Sequence, residues 1–177
     1  MKKIGTVFQI DRTTYRATDE VRAQWVIDGE GIATIKHDGT SCLISGGQLF
    51  KRFDAKKGRA LPDGFLPCEA EPDPVTGHWP GWVPVRADNP ADQYHLEALR
   101  DELEDGTYEL VGPKVQRNRY RLDRHELWRH GAVVVDVERT PEGIHQWLID
   151  HEHEGIVFHH KDGRMAKVRR KDFRIPW

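Results

Sequence analysis

The chain has 177 residues, of which 32% are charged, and its formal net charge at pH 7 is only −2. This length suits one domain with a substantial core, and the near-neutral balance excludes a uniformly basic nucleic-acid-binding protein. Cys42 and Cys68 are too few for a disulfide framework, no apolar run is long enough to cross a membrane, and the first residues lack a signal peptide's apolar stretch. We therefore expect a cytoplasmic protein with no membrane partner.

The first half of the chain predicts two β-hairpins and a loop. The segments WVI and GIATIK within residues 25–36 predict one hairpin that turns at Asp28-Gly29. The segments SCLIS and QLFKRF predict a second hairpin that turns at Gly46-Gly47. Residues 54–90 carry seven of the ten prolines and four of the 16 glycines, so we expect a long ordered loop there.

A helix is predicted next, with Asn89 as its cap and Pro90 in its first turn. Gly106 would end it, and its apolar positions share one face, namely Leu96, Leu99 and Leu103. The segments TYELVG and AVVVDV then read as strands.

A second helix opens at Thr140-Pro141, and its buried face is predicted to contain Ile144, Trp147 and Leu148. The chain closes with a hairpin of GIVFHH and RMAKVRR around the turn at residues 161–163. Hairpins with two separated helices indicate an α+β fold with antiparallel sheets.

Lys36 closes the apolar strand GIATIK and is followed almost at once by the turn Asp38-Gly39. A lysine there either extends its amine to water or presents a partly desolvated amine, whose lowered pKa suits a nucleophile. The pattern K-x-D-G fixes only three positions, so an ordinary strand-end lysine stays open at this point.

Two glutamates and two cations recur at strand positions. Glu109 in YELVG lies between apolar residues, where a buried carboxylate needs a metal, a sugar hydroxyl or a cation; a solvent-facing strand residue is the alternative. Glu154 in EGIV repeats the pattern, although it could also end a charged helix. Lys167 and Arg169 in AKVR share one strand face and suit a polyphosphate, unless they are a solvated terminus.

The order of these motifs resembles that of the covalent nucleotidyltransferases, which include ATP-dependent ligases and capping enzymes. KHDG is similar to their nucleotidyl-lysine motif, YELVG to the glutamate strand, EGIV to the fourth motif and AKVR to the fifth. AVVVDV takes the place of the third motif without its base-stacking aromatic residue, which Tyr108, Phe158 or Trp128 would replace.

Longer stretches narrow the resemblance. KHDGTS, KRFDAKKGRALP, TGHWPGW and ELVGPKVQRN resemble the 5′-3′ RNA ligases of vertebrates and of scattered bacteria and phages, over most of residues 25–174. This implies one minimal adenylation (nucleotidyltransferase) domain over residues 1–177, with no separate C-terminal domain. Such an enzyme joins RNA 5′-phosphate and 3′-hydroxyl ends through a lysyl-AMP intermediate and an adenylylated RNA end.

The resemblance also assigns residues. The implied catalytic residues are Lys36, Lys167 and Arg169, and the implied ATP-binding residues are Ile35, Lys36, Asp38, Gly39, Arg52, Glu109, Glu154, Lys167 and Arg169. Glu109 and Glu154 would hold Mg²⁺ or Mn²⁺. The implied RNA-binding residues are Arg52, Lys56, Lys57, Arg59, Arg117 and Asn118. Lys51 and Arg119 would extend the grip on RNA, and a partner protein or structured RNA would replace a clamp domain.

Other functions remain open from the sequence. A capping guanylyltransferase or a minimal DNA ligase would use the same lysine, glutamates and cations. A non-catalytic nucleic-acid-binding module would rely on the basic clusters beside Trp79, Trp82 and Tyr120. A metal site from the histidines of HEHEGIVFHH is the last alternative, although its spacing is not that of a helical histidine pair and cysteine partners are absent.

Overall fold

The computed structural model describes residues 3–56 and 58–177. The described residues form thirteen β-strands, which are β1 (Gly5–Thr6), β2 (Phe8–Ile10), β3 (Ala17–Val21), β4 (Ile32–Lys36), β5 (Thr40–Ser45), β6 (Gln48–Lys56), β7 (Leu66–Pro67), β8 (His78–Pro84), β9 (Gly106–Val111), β10 (Glu126–Arg129), β11 (Val134–Val135), β12 (Gly155–His159) and β13 (Met165–Arg169). They also form three α-helices, which are α1 (Gln24–Ile27), α2 (Gln93–Ala98) and α3 (Pro141–Asp150), and single 3-10 turns at Pro90–Asp92, Gln116–Asn118 and Arg170–Phe173. Within these ranges, no helix has the length and apolarity needed to cross a membrane.

The chain divides into two compact units. The middle unit comprises residues 38–130 together with Lys3, and the terminal unit comprises residues 4–37 and 131–177. Each unit has its own sheet and its own apolar core. The mostly antiparallel sheets and few helices agree with the predicted α+β class.

The middle unit is built on a six-stranded antiparallel sheet in the order β10-β9-β5-β6-β8-β7. Ser45 lies opposite Gln48, so β5 and β6 form the predicted hairpin, and Gly46 and Gly47 turn it with φ of 59° and 73°. Alternate side chains of this sheet form the buried cluster of Cys42, Ile44, Leu49, Tyr108, Leu110 and Leu127. The opposite face therefore presents Glu109 and its cross-strand neighbours Ser41 and Trp128.

The terminal unit is built on a five-stranded sheet in the order β1-β13-β12-β4-β11, in which only β1 runs parallel to its neighbour among the described strands. A second sheet pairs β2 with β3. α3 begins as predicted, because the Thr140 hydroxyl accepts from the Gly143 amide at 3.0 Å and Pro141 occupies the first turn. Its Ile144, Trp147 and Leu148 are buried, as predicted, with apolar residues of β12 and β13.

The predicted hairpin at residues 25–36 is wrong in its first half. Residues Gln24–Ile27 form α1, and the Asp28 amide donates to the Gln24 carbonyl at 2.9 Å. A helical turn buries both Trp25 and Val26, whereas alternation along a strand would place only one of them on the core side. β4 pairs instead with the distant strands β11 and β12.

Three other elements also differ from the predictions. The expected loop at 54–90 contains β7 and β8, and Gly81 is required there because a Cβ would lie 2.3 Å from the Phe65 ring. α2 ends at Ala98 rather than near Gly106. The buried positions of α2 are His95 and Ala98, so the predicted core residue Leu96 is instead 38% exposed. Of AVVVDV, only β11 is a strand.

Candidate functional site

Lys36 lies at the end of β4, inside the sheet of the terminal unit. Its cross-strand partner on β12 is Gly155, whose partner on β13 is Arg169. Directly opposed residues project to the same sheet face, so Lys36 and Arg169 share a face, and Lys167 lies on it too, two residues before Arg169. The predicted nucleophile and both predicted phosphate-binding cations therefore lie on one face.

The Lys36 amine is held by a carboxylate. Nζ contacts the Glu154 carboxylate and lies 3.4 Å from the His37 carbonyl oxygen. The Lys36 and Glu154 side chains are only 22% and 15% exposed. Neither is therefore the freely solvated residue expected of an ordinary strand-end lysine or of a charged helix end. The predicted grouping of Lys36 with Glu154 is thus present within this unit.

Gly155 explains why this geometry needs the sequence EGIV. A Cβ at Gly155 would lie 2.0 Å from the carbonyl oxygen of Val168, closer than any side chain tolerates. The absence of that Cβ lets β12 and β13 approach, and Glu154 precedes this point directly. Glycine at this position therefore allows β12 and β13 to pair closely where Gly155 opposes Arg169.

Lys167 has a perturbed amine. Burial, together with the positive charges of Arg169 and Lys36, lowers the pKa of Lys167 to about 8, while Glu154 and Asp172 act in the opposite direction. The amine is therefore a cation at neutral pH and loses that charge as pH rises through about 8. Such a group neutralises phosphate charge in neutral solution.

Arg169 is fixed by a partner that sequence reasoning missed. Its Nε and Nη2 atoms donate to the two carboxylate oxygens of Asp172 at 3.0 and 2.8 Å, and Asp172 is buried. The spacing of three residues between them was the available signal. This two-point ion pair fixes the plane of the guanidinium on the sheet face.

Ile35 projects to the other face. It alternates with Lys36, and its amide donates to the Val133 carbonyl at 3.0 Å. The side chain of Ile35 therefore lies away from the face that carries the Lys36 amine.

Glu109 is a buried carboxylate of the middle unit. It is 8% exposed, and its Oε2 lies 2.7 Å from Nε2 of His130. The neighbouring Ser41 hydroxyl is buried without a hydrogen-bond partner among the described residues. Sequence reasoning flagged Glu109 but not His130, which is 21 residues away and belongs to no motif.

The turn Asp38-Gly39 is packed tightly in the middle unit. A Cβ at Gly39 would lie 2.2 Å from the Leu110 carbonyl oxygen, so only glycine fits against β9 there. The Asp38 carboxylate lies 3.4 Å from the Arg119 guanidinium. Arg119, predicted to bind RNA, therefore also holds this turn.

Arg52 lies in the middle of β6 and is held by two neighbours. Its guanidinium lies 5.1 Å from the ring centre of Trp82, and Nη1 lies 3.3 Å from the Cys68 sulfur. An arginine fixed over an aromatic ring presents a preorganised anion site. Trp82 supports Arg52 rather than standing exposed for base stacking, since it is only 4% exposed.

The other predicted RNA-binding residues of the middle unit are scattered. Lys56 and Arg59 line one cavity of about 600 Å³, whose wall includes Trp79. Lys57 lies outside the described residues. Lys51 has a structural partner, since its amine contacts the fully buried Asp92 carboxylate.

Residues 117 and 118 differ in their surroundings. Arg117 is exposed, with a φ of 60°. The Asn118 side chain accepts from the Leu122 amide at 2.9 Å and donates to the Leu122 carbonyl at 3.0 Å. The Asn118 side-chain amide is thus hydrogen-bonded within the loop, whereas Arg117 is exposed.

The candidate aromatic residues for base stacking separate clearly. Tyr108 and Phe158 are 2% and 0% exposed and belong to the two cores. Trp128 lies opposite Glu109 on β10, on the face away from the core. Burial therefore leaves Trp128 as the accessible one of the three.

Three histidines of HEHEGIVFHH stack on or hydrogen-bond to neighbouring side chains. The rings of His151 and His153 stack on Trp147 at 4.3 and 6.0 Å, and the His159 ring lies 2.9 Å from the Thr34 hydroxyl. In residues 3–56 and 58–177, no group of three or more histidine, cysteine, aspartate or glutamate side chains is arranged to hold a metal ion.

Comparison with known proteins gives a distant relationship. No family model matches the chain. RNA ligase 1 of Pongo abelii is 28% identical over 139 residues, covering 57% of this chain and 42% of the relative. RNA ligase 1 of Rattus norvegicus is 26% identical over 167 residues, covering 72% and 47%, and that of Mus musculus is 26% identical over 165 residues, covering 72% and 46%. The chain spans less than half the length of these curated relatives.

Proposed function

We propose that the chain is the nucleotidyltransferase domain of an ATP-dependent RNA ligase, which joins RNA 5′-phosphate and 3′-hydroxyl ends. The observation that carries this proposal is the Lys36 amine, held against the Glu154 carboxylate on a sheet face shared with Lys167 and Arg169. The distant similarity to RNA ligase 1 proteins supports the same class of enzyme.

The first step transfers AMP to the protein. The Lys36 nitrogen attacks the α-phosphorus of ATP, a nitrogen–phosphorus bond forms, and the bond to pyrophosphate breaks. The amine must lose a proton first, and the touching Glu154 carboxylate is in place to accept it. Lys167 and Arg169, on the same sheet face as Lys36, would neutralise charge on the α-phosphate.

The later steps move AMP to RNA. A 5′-phosphate oxygen attacks the phosphorus of lysyl-AMP and releases Lys36, and the 3′-hydroxyl of the other end then displaces AMP. Phosphoryl transfers of this kind gain mainly from positioning and charge neutralisation. Arg52, Lys56, Arg59 and Arg117 are the described cations of the middle unit that would hold the RNA backbone.

A divalent cation completes the proposal. Glu109 and Glu154 offer the hard carboxylate oxygens that Mg²⁺ or Mn²⁺ prefers, which fits such an ion chemically. When bound, the ion would neutralise charge on the phosphate oxygens. His130 and Lys36 already orient these carboxylates.

The test of the function is the intact mass of the protein after incubation with ATP and Mg²⁺. We expect one added AMP in the wild type and none in Lys36→Ala, because no other residue replaces the nucleophile. Lys161→Ala, which removes an exposed turn lysine of the same unit, is the matched control and should label normally.

Nucleotide labelling and nick sealing together distinguish the alternative functions. Labelling by GTP instead of ATP would indicate a capping enzyme, and sealing of a nick with only deoxyribose at its 3′-hydroxyl side would indicate a DNA ligase. A wild type that binds RNA but never gains AMP would overturn the proposal in favour of a binding module.

A further inference from the structure

The turn after the Lys36 strand is held by one neighbouring loop. We name residues 113–122 the clamp loop. The Asp38 amide donates to the Tyr120 hydroxyl at 2.7 Å, and the Arg119 guanidinium lies 3.4 Å from the Asp38 carboxylate. Two adjacent side chains of the clamp loop therefore fix the backbone and the side chain of Asp38 together.

Gly39 is held from two directions. The Gln116 side-chain amide of the clamp loop donates to the Gly39 carbonyl at 3.3 Å. On the opposite side, the turn packs so closely on β9 that a Cβ at Gly39 would lie 2.8 Å from Cγ of Glu109. The turn is thus confined between the clamp loop and the strand that carries Glu109.

The clamp loop contains four non-glycine residues with a strained, positive φ. Gln116, Arg117 and Asn118 have φ of 44°, 60° and 50°, and Arg121 has φ of 53°. Non-glycine residues in this region cost about 1–3 kcal/mol each and persist only where the surroundings impose them. The two hydrogen bonds between Asn118 and Leu122 supply such a constraint.

The Tyr120 ring is fixed independently of its hydroxyl. Its centre lies 4.7 Å from that of Trp128. Removal of the hydroxyl alone would leave this ring contact intact and the Asp38 amide without this acceptor. Tyr120 therefore offers a clean test of what the hydrogen bond does.

We propose that Tyr120 is a positioning residue, whose hydroxyl holds the Asp38-Gly39 turn in the arrangement that binds ATP. This inference rests on the proposed function, because Asp38 and Gly39 are ATP-binding residues only within it. A loosened turn must be ordered again each time ATP binds, so the loss appears in nucleotide affinity rather than in the chemical step.

The experiment measures the rate of AMP uptake against ATP concentration in Tyr120→Phe and in Tyr108→Phe. Tyr108 is a matched control, because its hydroxyl also bonds a backbone atom, the Glu104 carbonyl, at 2.7 Å in the same unit. For Tyr120→Phe we expect the half-saturating ATP concentration to rise about tenfold, with the maximal rate within about threefold of the wild type. Tyr108→Phe should match the wild type in both quantities.

A second pair of variants guards against a folding defect. Arg119→Ala should raise the half-saturating ATP concentration about threefold, whereas Arg124→Ala, which removes an exposed ion pair with Glu126, should not change it. Hydrogen exchange of the Asp38 amide should be faster in Tyr120→Phe than in Tyr108→Phe.

The outcomes are distinguishable. If the wild type takes up AMP but Tyr120→Phe behaves as Tyr108→Phe does, the positioning role is wrong and the ligase proposal survives. A lower maximal rate at an unchanged half-saturating concentration also overturns the role. A wild type that never takes up AMP overturns both proposals.

Discussion

At the scale of single residues, the charged groups of the two sheet faces occur in fixed pairs. The Lys36 amine touches Glu154, and the Glu109 carboxylate is held by His130 at 2.7 Å. Pairing limits the rotation of these partly buried side chains. A phosphate that approached Lys36 would meet groups already oriented, so little ordering would remain to be done at binding.

His95, in contrast, is a buried side chain whose ring nitrogens have no hydrogen-bond partner among the described residues. It lies on α2 and is 9% exposed. Burial lowers the pKa of His95, Asp92 raises it, and the neighbouring Lys51 and His125 add to the lowering. His95 is therefore neutral in the folded protein over a range where a free histidine is charged.

We expect His95 to make stability depend on pH. Below the ordinary histidine pKa of 6.5, the unfolded chain takes up a proton that the folded protein resists, so the free energy of unfolding falls with falling pH. In His95→Leu this part of the pH dependence should disappear. Urea unfolding at about pH 7.5 and about pH 5 measures the difference.

The control for this prediction is His78→Leu, which changes an exposed histidine of the same unit. It should retain the acid sensitivity of the wild type. An equal loss of stability between the two pH values in wild type and His95→Leu would contradict the interpretation.

At the scale of elements, the pairing of β12 with β13 determines the geometry around Lys36. Gly155 is opposed to both Lys36 and Arg169, and its missing Cβ lets the backbone of Val168 approach closely. The placement of Lys36 and Arg169 on one sheet face therefore depends on the close approach of β12 and β13 at Gly155.

Gly155→Ala should therefore destabilise the protein by about 3 kcal/mol, because the added methyl meets backbone that cannot move aside as a side chain would. Gly5→Ala is the matched control in the same sheet, since a Cβ at Gly5 meets nothing within 4 Å. Urea unfolding of both variants gives the comparison. A change smaller than about 1 kcal/mol in Gly155→Ala would show that the strands separate easily.

At the scale of the whole molecule, each unit has a sheet with one buried face and one polar face. The middle unit buries the cluster around Tyr108 and Leu110, and the terminal unit buries the cluster around Ile144 and Phe158. Lys36, Lys167, Arg169 and Glu109 lie on the polar faces, which is where a charged ligand would bind without disturbing either core.

A nucleotide that binds the folded chain but not the unfolded chain should stabilise the fold. We expect an ATP analogue with a methylene bridge between the α- and β-phosphates, which cannot transfer AMP, to raise Tm by roughly 5–10 °C at about 100 times its Kd. Thermal unfolding with the adenosine and guanosine forms of the analogue measures this. Equal shifts from both bases, or no shift from either, would contradict selective ATP binding.

Local signals in the sequence were enough to predict several elements. The Gly46-Gly47 hairpin, α3 with its Thr140 cap, and the β12–β13 hairpin all follow from turn residues, caps and periodicity within about ten neighbouring residues. The sequence motifs also predicted roles for Lys36, Glu154 and the two β13 cations; the three cations share one sheet face, and the Glu154 carboxylate contacts the Lys36 amine.

The other features depend on tertiary contacts. Residues 24–27 form a helical turn that buries both Trp25 and Val26, and β4 pairs with β11 and β12, more than 90 residues away. His130 and Tyr120 hold Glu109 and Asp38 from 21 and 82 positions away along the chain, although the sequence assigned no role to His130 and predicted Tyr120 only for base stacking. Strand register and loop packing bring such residues together across long sequence separations, and a local pattern carries no record of that register.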